Sequence, residues 1–132
     1  MSESQAAEIL EILSPAPFDA TLERLTAAIS RAGLILFHRF DHQAGAWEVG
    51  LEMPPATVLF YGHPKGGTPI MVAAPLAALD LPLRALVRVR EDGQTAIAFR
   101  PIAAALRRSG APEALAHRLD PAQQILVDAL KS

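Results

Sequence analysis

The sequence predicts a two-layer α+β fold in which helices pack on a sheet. Residues 18–32 carry apolar side chains at three- and four-residue spacing, which is the period of a helix that buries one face. The runs 34–41 and 57–61 are apolar and rich in residues that favour strands. An Asp92-Gly93 turn separates two further strand-like runs, which predicts a hairpin. Helices and strands therefore share one chain of 132 residues, a length typical of a single domain.

The first two elements differ in how clearly the sequence defines them. Residues 6–13 fit a helical stripe, but their isoleucines and the Ser-Pro pair that follows favour a strand, and so short a run does not decide between the two. The helix over 18–32 is well defined, because Asp19 can cap its start and Gly33 suits the position after its end.

The segment between the next two strands is predicted as a connection with room for a short helical turn, at 43–50. The second strand, 57–61, then leads into a loop rich in glycine and proline, residues 62–69. Thr68 and Pro69 predict the start of the following helix, because threonine caps helices and proline suits the first helical position.

The C-terminal half is predicted as a strand hairpin followed by helices, at 83–90, 95–99, 102–108 and 121–131. Its first strand alternates apolar with basic residues, which is the period of a half-buried strand. We interpret the nearby arginines as one solvated sheet face, formed by Arg84, Arg88, Arg90 and Arg100. The helical tail, 111–131, is included in a single domain over 1–132.

Composition argues against several function classes. The formal net charge is -2, and the chain has one Trp and one Tyr. Nucleic-acid binding usually needs an excess of basic residues and aromatic side chains that stack on bases, and this chain has few of either. The absence of cysteine excludes disulfides and thiolate metal sites and fits a reducing cytoplasm. No apolar run approaches the ~20 residues of a membrane span, and residues 1–5 lack the basic segment of a signal peptide. We therefore expect a cytoplasmic protein with no nucleic-acid or membrane partner.

Several short motifs occur together, in an order that is much more specific than any one of them. They are Phe40-Asp41-His42, Gly50-Leu51, Gly62-His63-Pro64-Lys65, Gly67-Thr68-Pro69, Met71, Pro75 and Leu79-Asp80-Leu81-Pro82-Leu83. The set resembles the prokaryotic family called domain of unknown function 302, over about residues 8–108.

The resemblance implies a bacterial protein with helices packed on a mostly antiparallel sheet, often as a homodimer. It also favours a strand for residues 6–13. The family has no established reaction, so neither catalytic residues nor a cofactor follow from it. The chain departs from the family at His63, where asparagine is usual, and the tail after Gly110 matches only loosely. A hydrophobic fraction of 51% also fits a buried dimer interface.

The loop 62–69 is the first candidate site. At a helix start, the N–H groups of Gly66, Gly67 and Thr68 would be free to bind a small anionic ligand, with help from the helix dipole. Lys65 adds a positive charge. The order of residues is not that of a Walker loop. Alternatively, the glycines and prolines serve only to make a tight turn between strand and helix.

Asp41, His42 and His63 form a second candidate set. Asp41 and His42 end one strand and His63 follows another, so the three would converge if both strand ends lay at the same edge of the sheet. Two histidines and a carboxylate are a weak candidate metal set. Alternatively, His42 bonds a loop and His63 is a surface variant. Asp80 would add an acid–base partner for Asp41 only if the two were close.

The leading hypothesis is a dimeric small-ligand-binding domain. Its candidate ligand-binding residues are Asp41, His42, Gly62, His63, Lys65, Gly66, Gly67 and Thr68. One alternative is an enzyme that uses Asp41 and His42 as base and acid. The other alternative is a structural or interaction module.

Overall fold

The computed structural model describes residues 8–131, in which five strands form one antiparallel sheet. The strands are β1 (Leu10–Leu13), β2 (Ile35–Asp41), β3 (Ala56–Gly62), β4 (Leu83–Val89) and β5 (Thr95–Phe99). Their order across the sheet is β1-β5-β4-β3-β2, and every neighbouring pair is antiparallel. The expected antiparallel sheet and the strand near residues 6–13 are confirmed, although residues 6 and 7 lie outside the described chain.

Six α-helices lie within the described residues: α1 (Phe18–Arg31), α2 (His42–Glu48), α3 (Pro64–Ala73), α4 (Ile102–Arg108), α5 (Glu113–Ala116) and α6 (Asp120–Ala129). A 3-10 helix, Pro75–Asp80, precedes β4. The predicted helix over 18–32 is confirmed, and Gly33 follows it with a φ of 77°. Asp19 lies in the first turn of α1 rather than at its cap, which is Pro17. The predicted helical turn near 43–50 is the two-turn helix α2.

The core lies between one face of the sheet and the helices, as expected for a two-layer α+β fold. Along β3, burial alternates: Leu59 and Tyr61 are buried, whereas their neighbour Phe60 is only half-buried. Leu25 of α1 and Leu126 of α6 are fully buried in the same apolar cluster. The C-terminal helix therefore contributes to the core that covers the sheet.

The opposite face of the sheet carries aromatic and charged side chains. The guanidinium of Arg84 lies 5.4 Å from the ring centre of Phe60. Arg88 donates a hydrogen bond from Nε to Glu11, at 3.0 Å. Arg84 and Arg88 thus share a sheet face, as the alternating pattern predicts. Between residues 8 and 131, none of the helices has the length and apolar character needed to span a membrane.

Candidate functional site

The helix that follows β3 begins at Pro64, five residues before Pro69, its predicted first helical position. His63 caps it, because its Nδ1 accepts a hydrogen bond from the N–H of Lys65, at 3.1 Å. The N–H groups of Gly66 and Gly67 donate to the carbonyl of His63, at 3.0 and 3.2 Å. The prediction of free glycine N–H groups at a helix start is therefore wrong: these groups already have partners.

A proline inside α3 creates the next feature of the site. Pro69 has no N–H, so the carbonyl of Lys65, four residues earlier, lacks its usual helical donor. Arg118 replaces that donor: its Nη2 donates to the carbonyl of Lys65 and its Nε to that of Gly66, both at 3.1 Å. These two bonds fix the guanidinium of Arg118 against the first turn of α3.

A cavity of about 730 Å³ lies beside this turn. The loop and helix residues Gly62 to Thr68 line one side of it, and residues from the α5–α6 region line another. Its apolar walls include Leu34, Phe37, Met71, Leu81, Leu119 and Ile125. The geometry therefore combines most of the predicted loop with a C-terminal segment that the sequence did not connect to it.

Tyr61 supplies a buried polar group in the cavity wall. Its hydroxyl donates to the carbonyl of Ala122 in α6, at 3.1 Å. Burial raises the pKa of Tyr61 well above its usual value, because the phenolate would lose its solvation. Tyr61 therefore stays a neutral hydrogen-bond donor and holds α6 against the end of β3.

The charged residues that line the cavity are all basic. Lys65 and Arg118 lie at its exposed rim, together with His63, and no aspartate or glutamate among residues 8–131 lines it. Within residues 8–131, neither Lys65 nor Arg118 has a carboxylate oxygen within 4.0 Å. The cavity is thus apolar inside and positively charged at one rim.

Asp41 and His42 do not join this site. Because β2 and β3 are antiparallel, Asp41 pairs with Thr57 and Ile35 pairs with Gly62. Thr57 and Gly62 are five residues apart, or ~17 Å along a strand. The convergence of Asp41 and His42 with His63 was a wrong assumption, since these residues lie at opposite ends of the two strands.

Asp41 and His42 have local structural contacts instead. Asp41 caps α2, because its Oδ1 accepts a hydrogen bond from the N–H of Ala44, at 2.9 Å. The ring of His42 packs against Phe40, with ring centres 4.8 Å apart. The three residues of the weak metal set are therefore not brought together. In the described part of the chain, no other three His, Cys, Asp or Glu residues form a metal-binding group either.

A second cavity, of about 560 Å³, lies against the other face of the sheet. Both His42 and Asp80 line it, with Arg84 and Arg108 among the basic residues nearby. Asp41 lines a separate cleft beside α2. The geometry therefore does not form the acid–base pair of Asp41 and Asp80.

The cap of α3 gives a test of the structural role of His63. Asparagine is among the most favourable N-cap residues, and His63 performs the same task through Nδ1. We expect His63→Ala to lower the free energy of unfolding by about 1 kcal/mol, and His63→Asn to leave it unchanged or raise it slightly. Urea unfolding of both variants measures this. Equal losses in the two variants would contradict a capping role.

The family-model comparison matches residues 10–132 to the family described as Domain of unknown function DUF302. The chain belongs to the DUF302 family. The crystal structure of an uncharacterized conserved DUF302 protein from Bacillus stearothermophilus shares this fold, with a TM-score of 0.80 and 20% sequence identity. That likeness covers 92% of this chain and 94% of the other.

Curated relatives match a smaller part of this DUF302 protein. Fluoride-specific ion channel FluC 1 of Brucella suis and of Brucella abortus are each 44% identical to it over 73 residues. The match covers 55% of this chain but only 28% and 26% of those relatives. The chain thus spans about a quarter of the length of the curated relatives that it matches.

Sequence reasoning missed the C-terminal side of the cavity. Arg118, Leu119 and Ile125 line it, although the sequence links none of them to the loop. One signal was available: a proline inside α3 leaves a carbonyl without a donor, which calls for a donor from elsewhere. The sequence does not show which side chain supplies it, because the partner lies 53 residues away.

Proposed function

We propose that this DUF302 protein is a small-ligand-binding domain whose ligand occupies the cavity beside α3. The observation that carries the proposal is the cavity itself: its volume, about 730 Å³, lies within the range of ~300–1,000 Å³ typical of small-molecule sites. Such sites combine apolar walls with a few placed polar groups. The walls here are mostly apolar, Tyr61 adds one buried hydroxyl, and the charged groups lie at one rim.

The two glycines of α3 support the proposal differently. A Cβ built on Gly66 would lie 3.1 Å from Cδ2 of Leu119, a tight contact that requires the Leu119 side chain to shift by a few tenths of an ångström. A Cβ on Gly67 would make only ordinary contacts, at 3.6 Å to Leu81 and 3.7 Å to Met71, both of which line the cavity. Gly67 is therefore a position from which a larger side chain can extend into the proposed site.

Gly67→Leu is expected to reduce binding of a neutral apolar dye, such as Nile red, at least about tenfold, because the new side chain occupies the cavity. The matched control is Gly45→Leu in α2, where an added Cβ meets nothing within 4 Å. Dye fluorescence titration measures binding, and circular dichroism checks that both variants fold. Equal dye affinity in Gly67→Leu and the unmodified protein would overturn the proposal.

Two alternative activities receive less support. An enzyme using Asp41 and His42 would need both side chains at one cleft, whereas they line different ones. Fluoride conduction is named for relatives of which the chain covers 28% or less, and it forms no part of the proposal.

We also propose that two copies associate through β2 and α2. β2 is an edge strand, and α2 has no buried residue. Three large apolar side chains on and after α2 are exposed: Trp47 by 73%, Val49 by 71% and Leu51 by 62%. An exposed, apolar edge strand favours pairing with another strand. Antiparallel pairing of two identical edges has the two-fold symmetry of most homodimers.

A further inference from the structure

We infer that the ligand of the α3 cavity is an amphiphile, with an apolar body in the cavity and a single anionic head at the rim, and that Lys65 binds this head. The inference rests on the proposed small-ligand site and adds the chemical class of its ligand. It follows from the distribution of charge around the cavity rather than from the cavity's size.

Apolar and charged residues line different parts of the cavity. The apolar walls come from the residue before β2, the C-terminal half of α3, the segment before β4, and α6, through Leu34, Met71, Leu81 and Ile125 in that order. The charged residues, by contrast, lie around the first turn of α3. A neutral apolar ligand would leave that charged rim unused, whereas an amphiphile contacts both parts.

The charge at the rim of the cavity is positive. Arg118 bonds the backbone carbonyl of Lys65, so its guanidinium lies at the turn of α3 that carries the Lys65 side chain. The bonding partners of Arg118 there are carbonyl oxygens, which accept hydrogen bonds but do not neutralise its charge. The N-terminal end of α3 adds the positive end of its dipole. All three contributions favour an anion at this rim and disfavour a cation.

Lys65 and Arg118 differ in how many of their hydrogen-bond donors are already used. Arg118 uses Nε and Nη2 on two carbonyls and is therefore a positioning residue for α3 as well as a source of positive charge. Lys65 is exposed, and its ammonium makes no ion pair within residues 8–131. The Nδ1 of His63 already caps the helix. Lys65 is thus the cation with all its donors available to a ligand head group.

The experiment compares three ligands that share one chain and differ only in the head: octanoate, octan-1-ol and octylamine. Isothermal titration calorimetry at low salt is expected to give the highest affinity for octanoate and the lowest for octylamine. Lys65→Gln is expected to weaken octanoate roughly tenfold, because it removes a charged hydrogen bond. The same variant should leave the affinity for octan-1-ol unchanged.

Lys131→Gln is the matched control, since Lys131 pairs with Asp128 at 3.6 Å and does not line the cavity. It should leave all three affinities unchanged. Octan-1-ol binding as tightly as octanoate, or octylamine binding more tightly, would overturn the inference while the small-ligand site stands. If neither these ligands nor the neutral dye bound, the proposed function would fail with it.

A vesicle-binding measurement distinguishes a membrane lipid from a free amphiphile as the source of the anionic head group. Vesicles of phosphatidylcholine with phosphatidylglycerol present anionic heads on a membrane. Co-sedimentation that is lost in Lys65→Gln would assign the head group to a membrane lipid. Octanoate binding without co-sedimentation would assign a free amphiphile. Octanoate affinity that is the same in Lys65→Gln and the unmodified protein would exclude Lys65 as the head-group residue.

Discussion

Leu126→Ala is expected to lower the free energy of unfolding by about 3 kcal/mol, because it removes most of a large side chain from a fully buried position. Leu126 lies in α6 and is fully buried in the apolar cluster that also contains Ile97 of β5 and Leu106 of α4. The loss has two contributions: the hydrophobic transfer free energy of the removed groups, and the cost of the cavity that remains. Urea unfolding followed by circular dichroism measures it.

The control for this substitution is Leu79→Ala, which makes the same chemical change in the 3-10 helix, where Leu79 is 77% exposed. It should change the free energy of unfolding by less than about 0.5 kcal/mol. A small effect of Leu126→Ala, or a separate unfolding transition for the C-terminal helices, would contradict their place in one cooperative core.

Leu126→Ala also tests the proposed ligand site, because α6 forms one wall of the cavity. The carbonyl of Ala122 accepts the hydroxyl of Tyr61, and Ile125 lines the cavity. A loosened α6 would therefore open one wall of the proposed site, so ligand affinity should fall together with stability in Leu126→Ala. In Leu79→Ala, affinity and stability should both be retained.

The sequence predicted most of the fold because its signals there are local. The three- and four-residue apolar spacing of α1 and the strand-forming run of β3 need no knowledge of distant residues. The start of α3 was predicted wrongly because the sequence contains two plausible helix starts, each marked by a proline. Both Pro64 and Pro69 suit a first helical position, and threonine is a commoner cap than histidine. The structure resolves this competition in favour of His63 and Pro64.

The candidate site was only half predictable, for a reason of topology. Gly62, His63 and Lys65 are neighbours in sequence, so the loop could be identified directly. Asp41 and His63 each follow the end of a strand, and in adjacent antiparallel strands such ends lie at opposite edges. The resemblance implied a mostly antiparallel sheet but not which strands are neighbours, and the pairing of β2 with β3 in the structure is what separates the two residues. The Arg118 contacts could not be predicted, because they depend on how the C-terminal segment packs.

Trp47→Ser is expected to convert the proposed dimer into a monomer at micromolar concentration. Trp47 is the chain's one tryptophan and is 73% exposed in the isolated chain. Buried tryptophans are frequent anchors of interfaces, and losing one typically costs about 2 kcal/mol or more, which is about 30-fold in Kd. Light scattering coupled to size-exclusion chromatography measures the mass of each variant directly.

Val72→Ser serves as the control, because Val72 is an equally exposed apolar residue, at 76%, on α3 rather than on β2 or α2. It should leave the mass unchanged. The fluorescence of Trp47 gives an independent measure, since its emission should shift to longer wavelength on dilution as the dimer dissociates and the ring meets water. A monomer at every concentration would contradict the proposed association. A dimer that persists in Trp47→Ser, together with tryptophan emission of the unmodified protein that does not change on dilution, would exclude α2 as its interface.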